Sequence, residues 1–113
     1  MDCIFCRIVA GEIPADIVYQ DRELLAFRDI NPQAPTHILI IPKKHIPSLN
    51  DTTGNHRALM GNIVLLARNL AKKEGISEKG YRLSISSGPD GGQVVPHIHF
   101  HLIGGRKLSD MLG

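Results

Sequence analysis

The sequence predicts an α+β fold: about five antiparallel strands with one long and one short helix. Three observations carry this. Apolar β-branched or alternating segments recur in both halves of the chain. One long segment, from Leu59 to Ala71, spaces its apolar residues as a helix does. The strand-like segments lie together on either side of that helix instead of alternating with helices, an order that favours an antiparallel sheet over parallel βαβ units. At 113 residues the chain suits a single domain spanning 1–113 and is too short for two.

The elements follow in order. Cys3 to Val9 predicts a short helical turn with Ile4, Phe5, Ile8 and Val9 on its apolar side, closed by Gly11, with Pro14 at the exit. Ile17 to Tyr19 and Leu24 to Phe27, separated by Gln20-Asp21-Arg22-Glu23, predict a hairpin. Asn31 to Pro35 is a loop by its prolines; Thr36 to Ile41 is a central strand that Pro42 ends. Asp51, Thr52 or Thr53 can cap the long helix, whose buried face takes Leu59, Met60, Ile63, Val64, Leu66, Ala67, Leu70 and Ala71, with Gly75 as its stop. Tyr81 to Ser87 alternates as a half-buried strand, Ser87 to Gly92 is a turn, and a last strand runs from Val94 or Val95 to Ile103.

Composition narrows the function classes. With 42% hydrophobic and 21% charged residues, the chain has ordinary globular usage. Thirteen basic and eleven acidic residues leave +2, and the cations are scattered apart from Lys43-Lys44 and Lys72-Lys73, so no dedicated nucleic-acid surface is expected. No apolar run approaches the roughly 20 residues that span a bilayer. The acidic start, Met1-Asp2-Cys3, does not read as a secretory signal, which makes cytoplasmic the default location. In that compartment Cys3 and Cys6 read as metal ligands, redox thiols or buried residues, in preference to a structural disulfide.

The most informative segment is Pro96-His97-Ile98-His99-Phe100-His101-Leu102. On a strand, His97, His99 and His101 would share one face at a spacing of about 6.6 Å, with Ile98, Phe100 and Leu102 in the core behind. Such a row can be a solvated polar face, a metal site, or a nucleophile with flanking acid–base groups. The upstream turn favours the last: Gly88, Gly91 and Gly92 would let backbone N–H groups approach an anion, with Gln93 as a neutral donor.

His97-Ile98-His99-Phe100-His101-Leu102-Ile103 fits the His-φ-His-φ-His-φ-φ signature of the histidine triad superfamily, where φ is apolar. Ala26 to His37, Ile41-Pro42-Lys43-Lys44-His45 and Asp90-Gly91-Gly92-Gln93 resemble, in the same order, the histidine triad nucleotide-binding protein branch, in its bacterial form. The resemblance covers nearly the whole chain. It implies the family fold and hydrolysis of purine nucleoside 5′-phosphoramidates and related adenylates at phosphorus. By resemblance His99 is the nucleophile that forms a nucleotidyl-imidazole, His101 and His97 flank the α-phosphate, and His37 orients the site from the neighbouring strand. Asp29 would accept the ribose hydroxyls; Ile4, Phe5, Phe27 and Ile30 would line the base pocket; Ser86, Gly92 and Gln93 belong to the phosphate end. No cofactor is implied for catalysis.

The bacterial relatives also imply a structural zinc on Cys3, Cys6, His45 and His97, whose rival is a pair of reduced, partly buried cysteines. They further imply a homodimer in which the long helices pack together and two five-stranded sheets join. The partners expected are a purine nucleoside monophosphate with its amine or acyl conjugates and a second copy of the chain, with no membrane. Departures from the eukaryotic members are Ser86 for Asn, which keeps a hydroxyl donor; Val94 for Ser, which cannot help protonate the leaving amine; and a C-terminus from Gly104 to Gly113 without their Trp-containing ending, which bears on leaving-group preference. The competing readings are a dinucleoside polyphosphate hydrolase run by the same triad and a non-catalytic nucleotide- or zinc-binding interaction protein.

Overall fold

Five strands hydrogen-bond in the order β1-β2-β3-β5-β4, each neighbouring pair antiparallel: β1 Ile17–Gln20, β2 Leu24–Arg28, β3 Thr36–Pro42, β4 Tyr81–Ile85 and β5 Phe100–Gly104. They belong to a computed structural model that describes residues 3–110. Met1-Asp2 of the acidic start and Met111 to Gly113 of the C-terminal tail lie outside the described residues.

The period of two along each strand sorts side chains onto two faces, and each face has its own helix. Leu24, Ala26, Ile38, Ile40, Ile98, Phe100 and Leu102 pack against Ile63, Leu66, Ala67, Leu70 and Ala71 of α2, the helix Arg57–Lys73. Leu25, Phe27, Leu39 and Ile41 face the other way and pack against Cys3 and Phe5 at the start of α1, Ile4–Val9. The central strand β3 is buried along its whole length. Arg28, at the end of β2, forks onto Glu74 at 2.9 and 3.0 Å and ties the sheet to the C-terminal end of α2. That end closes as a Schellman motif: Ile76 N–H reaches Ala71 and Gly75 N–H reaches Lys72, with Gly75 at φ +77°.

Several boundaries differ from those the sequence predicts. The last strand begins at Phe100, not at Val94 or Val95, because the chain turns around Pro96: His97 N–H donates to the Val95 carbonyl at 2.8 Å. β4 stops at Ile85, leaving Ser86 and Ser87 to the turn. Thr53 caps a 3-10 turn, Gly54–His56, not the long helix, which starts at Arg57; another 3-10 turn spans Leu49–Asp51. Val64, placed on the buried face of α2 by spacing, is 50% exposed, because it sits about 100° around the helix from Ile63.

Candidate active site and metal centre

The histidine row lies on the α1 face. Alternation survives the loss of regular pairing before Phe100: Ile98, Phe100 and Leu102 enter the core under α2, while His97 and His99 are buried on the opposite side with His101 half-buried beside them. Only His101 stands within β5. The His99 and His101 ring centroids are 5.2 Å apart, closer than an extended strand's spacing, and Phe5 meets His99 edge-on at 5.1 Å. Leu39 pairs with His101 across β3 and β5, so His37, two residues earlier on the same face of β3, is its diagonal neighbour.

Hydrogen bonds fix where each imidazole keeps its proton. His99 Nδ1 lies 2.7 Å from the His97 carbonyl, which can only accept; the proton is therefore on Nδ1 and the lone pair is on Nε2. Gln33 N–H donates to His37 Nδ1 at 3.1 Å, so neutral His37 carries its proton on Nε2. That Nε2–H donates to His101 Nδ1 at 2.9 Å, which puts the His101 proton on its outward Nε2. The row thus offers a nucleophilic nitrogen beside an N–H donor. Burial disfavours the charged form of three of the rings: it pushes His101 down to about 4, helped by neighbouring His99 and His37, and lowers His37 and His97 as well.

Asp29 combines the turn role and a place at the site. Its Oδ1 accepts from Asn31 N–H at 2.8 Å, while Oδ2 lies 3.5 Å from His37 Nε2. Of the residues expected around the base, Phe5 and Phe27 are buried and meet edge-on at 5.6 Å; Ile4 and Ile30 are 49% and 91% exposed at the surface. The glycine turn is tied inward. Gly92 N–H reaches Pro89, Gln93 N–H reaches Gly88, and the Gln93 side chain accepts from Gly88 N–H at 2.9 Å and donates to the Pro47 and Val95 carbonyls. Ser86 is half-buried just beyond β4. The backbone groups of Gln33, Pro42 and His97 that set the tautomers had no signal in the sequence, since every residue carries them.

A second cluster joins Cys3, Cys6, His45 and His97. His97 Nε2–H donates to the Pro42 carbonyl at 2.8 Å, which frees Nδ1 to face the others. His97 Nδ1 lies 3.4 Å from Cys3 Sγ, 3.5 Å from Cys6 Sγ and 3.2 Å from His45 Nδ1, and Cys6 Sγ lies 3.3 Å from His45 Nδ1. A tetrahedral zinc would separate two such nitrogens by about 3.3 Å and nitrogen from sulfur by about 3.6 Å, given bonds of about 2.0–2.1 and 2.3 Å. The four distances given match that polyhedron, and all four ligand atoms lie within 4.8 Å of one another. Burial and the neighbouring Cys3 raise the Cys6 thiol in the absence of a cation, which disfavours a reactive redox thiol here.

Known proteins share the sequence and fold of this chain over most of its length. A sequence model of the HIT domain matches residues 10–108. A purine nucleoside phosphoramidase of Escherichia coli strain K12 is 53% identical over 111 residues, covering 98% of this chain and 93% of that protein. The crystal structure of a HIT family hydrolase from Legionella pneumophila superposes with a TM-score of 0.95 at 54% identity, over 96% of this chain and 97% of that one. A zinc-bound histidine triad family protein of Mycobacterium smegmatis superposes at 0.81 with 34% identity, over 100% of this chain and 81% of that one.

Proposed function

This chain belongs to the HIT domain family, and from that premise we propose that it is a hydrolase of purine nucleoside 5′-phosphoramidates and related adenylates, with residues 1–113 working as one domain. The observation that carries the reading is the tautomer pattern, a lone pair on His99 Nε2 beside a donor on His101 Nε2.

The chemistry follows from those two nitrogens. His99 Nε2 attacks the α-phosphorus, the P–N bond breaks, and the amine leaves with its electron pair and takes a proton from water, since Val94 has none to give. His101 Nε2–H donates to a phosphoryl oxygen as charge builds there. The phosphorylated imidazole carries a labile P–N bond, so water completes the cycle and releases the nucleoside monophosphate. Asp29 is read as the acceptor for the ribose hydroxyls; Ile4, Phe5, Phe27 and Ile30 flank the base; Ser86, Gly92 and Gln93 shape the phosphate end. His97 serves through its carbonyl, which holds the nucleophile, and His37 through its bond to His101.

Cys3, Cys6, His45 and His97 are read as holding a zinc, the kind of metal named for the mycobacterial relative. With four protein ligands the metal would be structural, pinning the start of α1 to the end of β3. The same reading includes a homodimer and a cytoplasmic setting that keeps both thiols reduced.

Steady-state hydrolysis of an adenosine 5′-phosphoramidate bearing an amine reporter tests the proposal. The wild type is expected to turn over and His99→Ala to lose several orders of magnitude in kcat. Equal inactivity of both, with the monophosphate still bound, would favour the binding-protein alternative.

A further inference from the structure

The segment Gly104-Gly105-Arg106 has no part in the chemistry above, yet it is built against the loop that controls His37. Gly104 pairs with Thr36 at the end of the β3–β5 ladder. Gly105 then turns at φ +96°, where a Cβ would come within 2.9 Å of the Pro35 ring. Only glycine satisfies both the backbone angle and the close approach. The turn delivers Arg106, whose Nε–H donates to the Gln33 carbonyl at 2.9 Å; a second guanidinium nitrogen donates to the Lys107 carbonyl at 3.1 Å. Gln33 is thus held by its carbonyl on one side while its N–H points at His37 Nδ1 on the other.

We infer that Arg106 is a positioning residue that sets the proton pattern of the site through Gln33 and His37; the catalytic part of this inference rests on the function proposed above. If the Gln33 N–H drifts from His37, the ring can move its proton to Nδ1. Its Nε2 then presents a lone pair to His101, which must answer with Nδ1–H and lose the proton from its outward nitrogen. The site would keep its nucleophile and lose its donor. Arg106 does not touch the reacting atoms.

The test compares Arg106→Ala with Arg106→Gln. A glutamine side-chain amide nitrogen stands the same number of bonds from Cα as arginine Nε, so Arg106→Gln keeps the donor and removes the charge. Two measurements are made: the ¹⁵N shifts of the His37 and His101 rings, and kcat and KM on the adenosine 5′-phosphoramidate. Arg106→Ala is expected to shift His37 toward a mixture of tautomers and lower kcat about 5-fold, the worth of the neutral Gln33 N–H to His37 bond that it loosens, with KM changed less than about 2-fold. Arg106→Gln should restore both. An unshifted His37 in Arg106→Ala, a shifted one with unchanged kcat, or a loss that Arg106→Gln shares would overturn the inference, the last by tracing the effect to charge. If the wild type proves inactive, the proposed function fails, while the ring shifts still decide whether Arg106 sets the tautomer.

Discussion

Burial decides the protonation of His37, His97 and His101. His101, held near 4, refuses a proton that the unfolded chain accepts at about 6.5, and His37 and His97 move in the same direction. Where the unfolded state binds more protons, stability rises with pH. The contribution is therefore complete above about pH 6.5 and is lost as pH falls toward about 4. Denaturant midpoints measured at pH 7.5, 6 and 5 should decline steadily, and His101→Gln should flatten the decline. A profile flat between pH 7 and 5 would contradict neutral, buried rings.

At the level of elements, α1 is six residues long, too short to hold itself together by its own hydrogen bonds. Its attachments are Phe5 in the smaller core and the thiols of Cys3 and Cys6. Cys3→Ser isolates the thiol contribution, because serine keeps an N-cap acceptor where Cys3 Sγ now takes the Cys6 N–H. The wild type should carry about one zinc per chain. Cys3→Ser should lose it, and its thermal midpoint should fall by roughly 10 °C or more at fixed protein concentration. A metal-free wild type of the same stability as the variant would exclude the zinc. The element order, the hairpin, the central strand and the face carrying the three histidines were all legible in the sequence, because each rests on a period of two or 3.6. The extent of β5 was not: Pro96 and the bond from His97 N–H to Val95 bend the approach to the strand, and nothing in an alternating pattern signals a ladder that stops short. The same holds within the site, where side-chain chemistry named the imidazoles but backbone carbonyls assign their protons.

For the molecule as a whole, each face of the sheet has a helix packed on it, while among the described residues β1 and β4 stand at the edges and the outer side of α2 faces away from the sheet. β1 and β4 end the strand order, so among the described residues β4, Tyr81–Ile85, is an edge strand of the sheet. On α2, Val64 and Leu65 are 50% and 49% exposed although neither charge nor catalysis calls for apolar residues there. They lie about 100° and 200° around the helix from the core-facing Ile63, so the apolar surface of α2 is wider than one sheet can bury. A second copy placed about a twofold axis could bury α2 against α2 and pair β4 with β4, consuming both surfaces at once. Light scattering at micromolar concentration should therefore give twice the mass of one chain, and Val64→Glu should give monomer, because the symmetric contact would bring the new carboxylates of the two copies close together. A monomeric wild type would leave Val64 and Leu65 as scattered surface residues. If Val64→Glu is monomeric and still hydrolyses the phosphoramidate with unchanged kcat, each site is complete within one chain, as expected if His37, His99, His101 and Asp29 of a single copy carry the reaction.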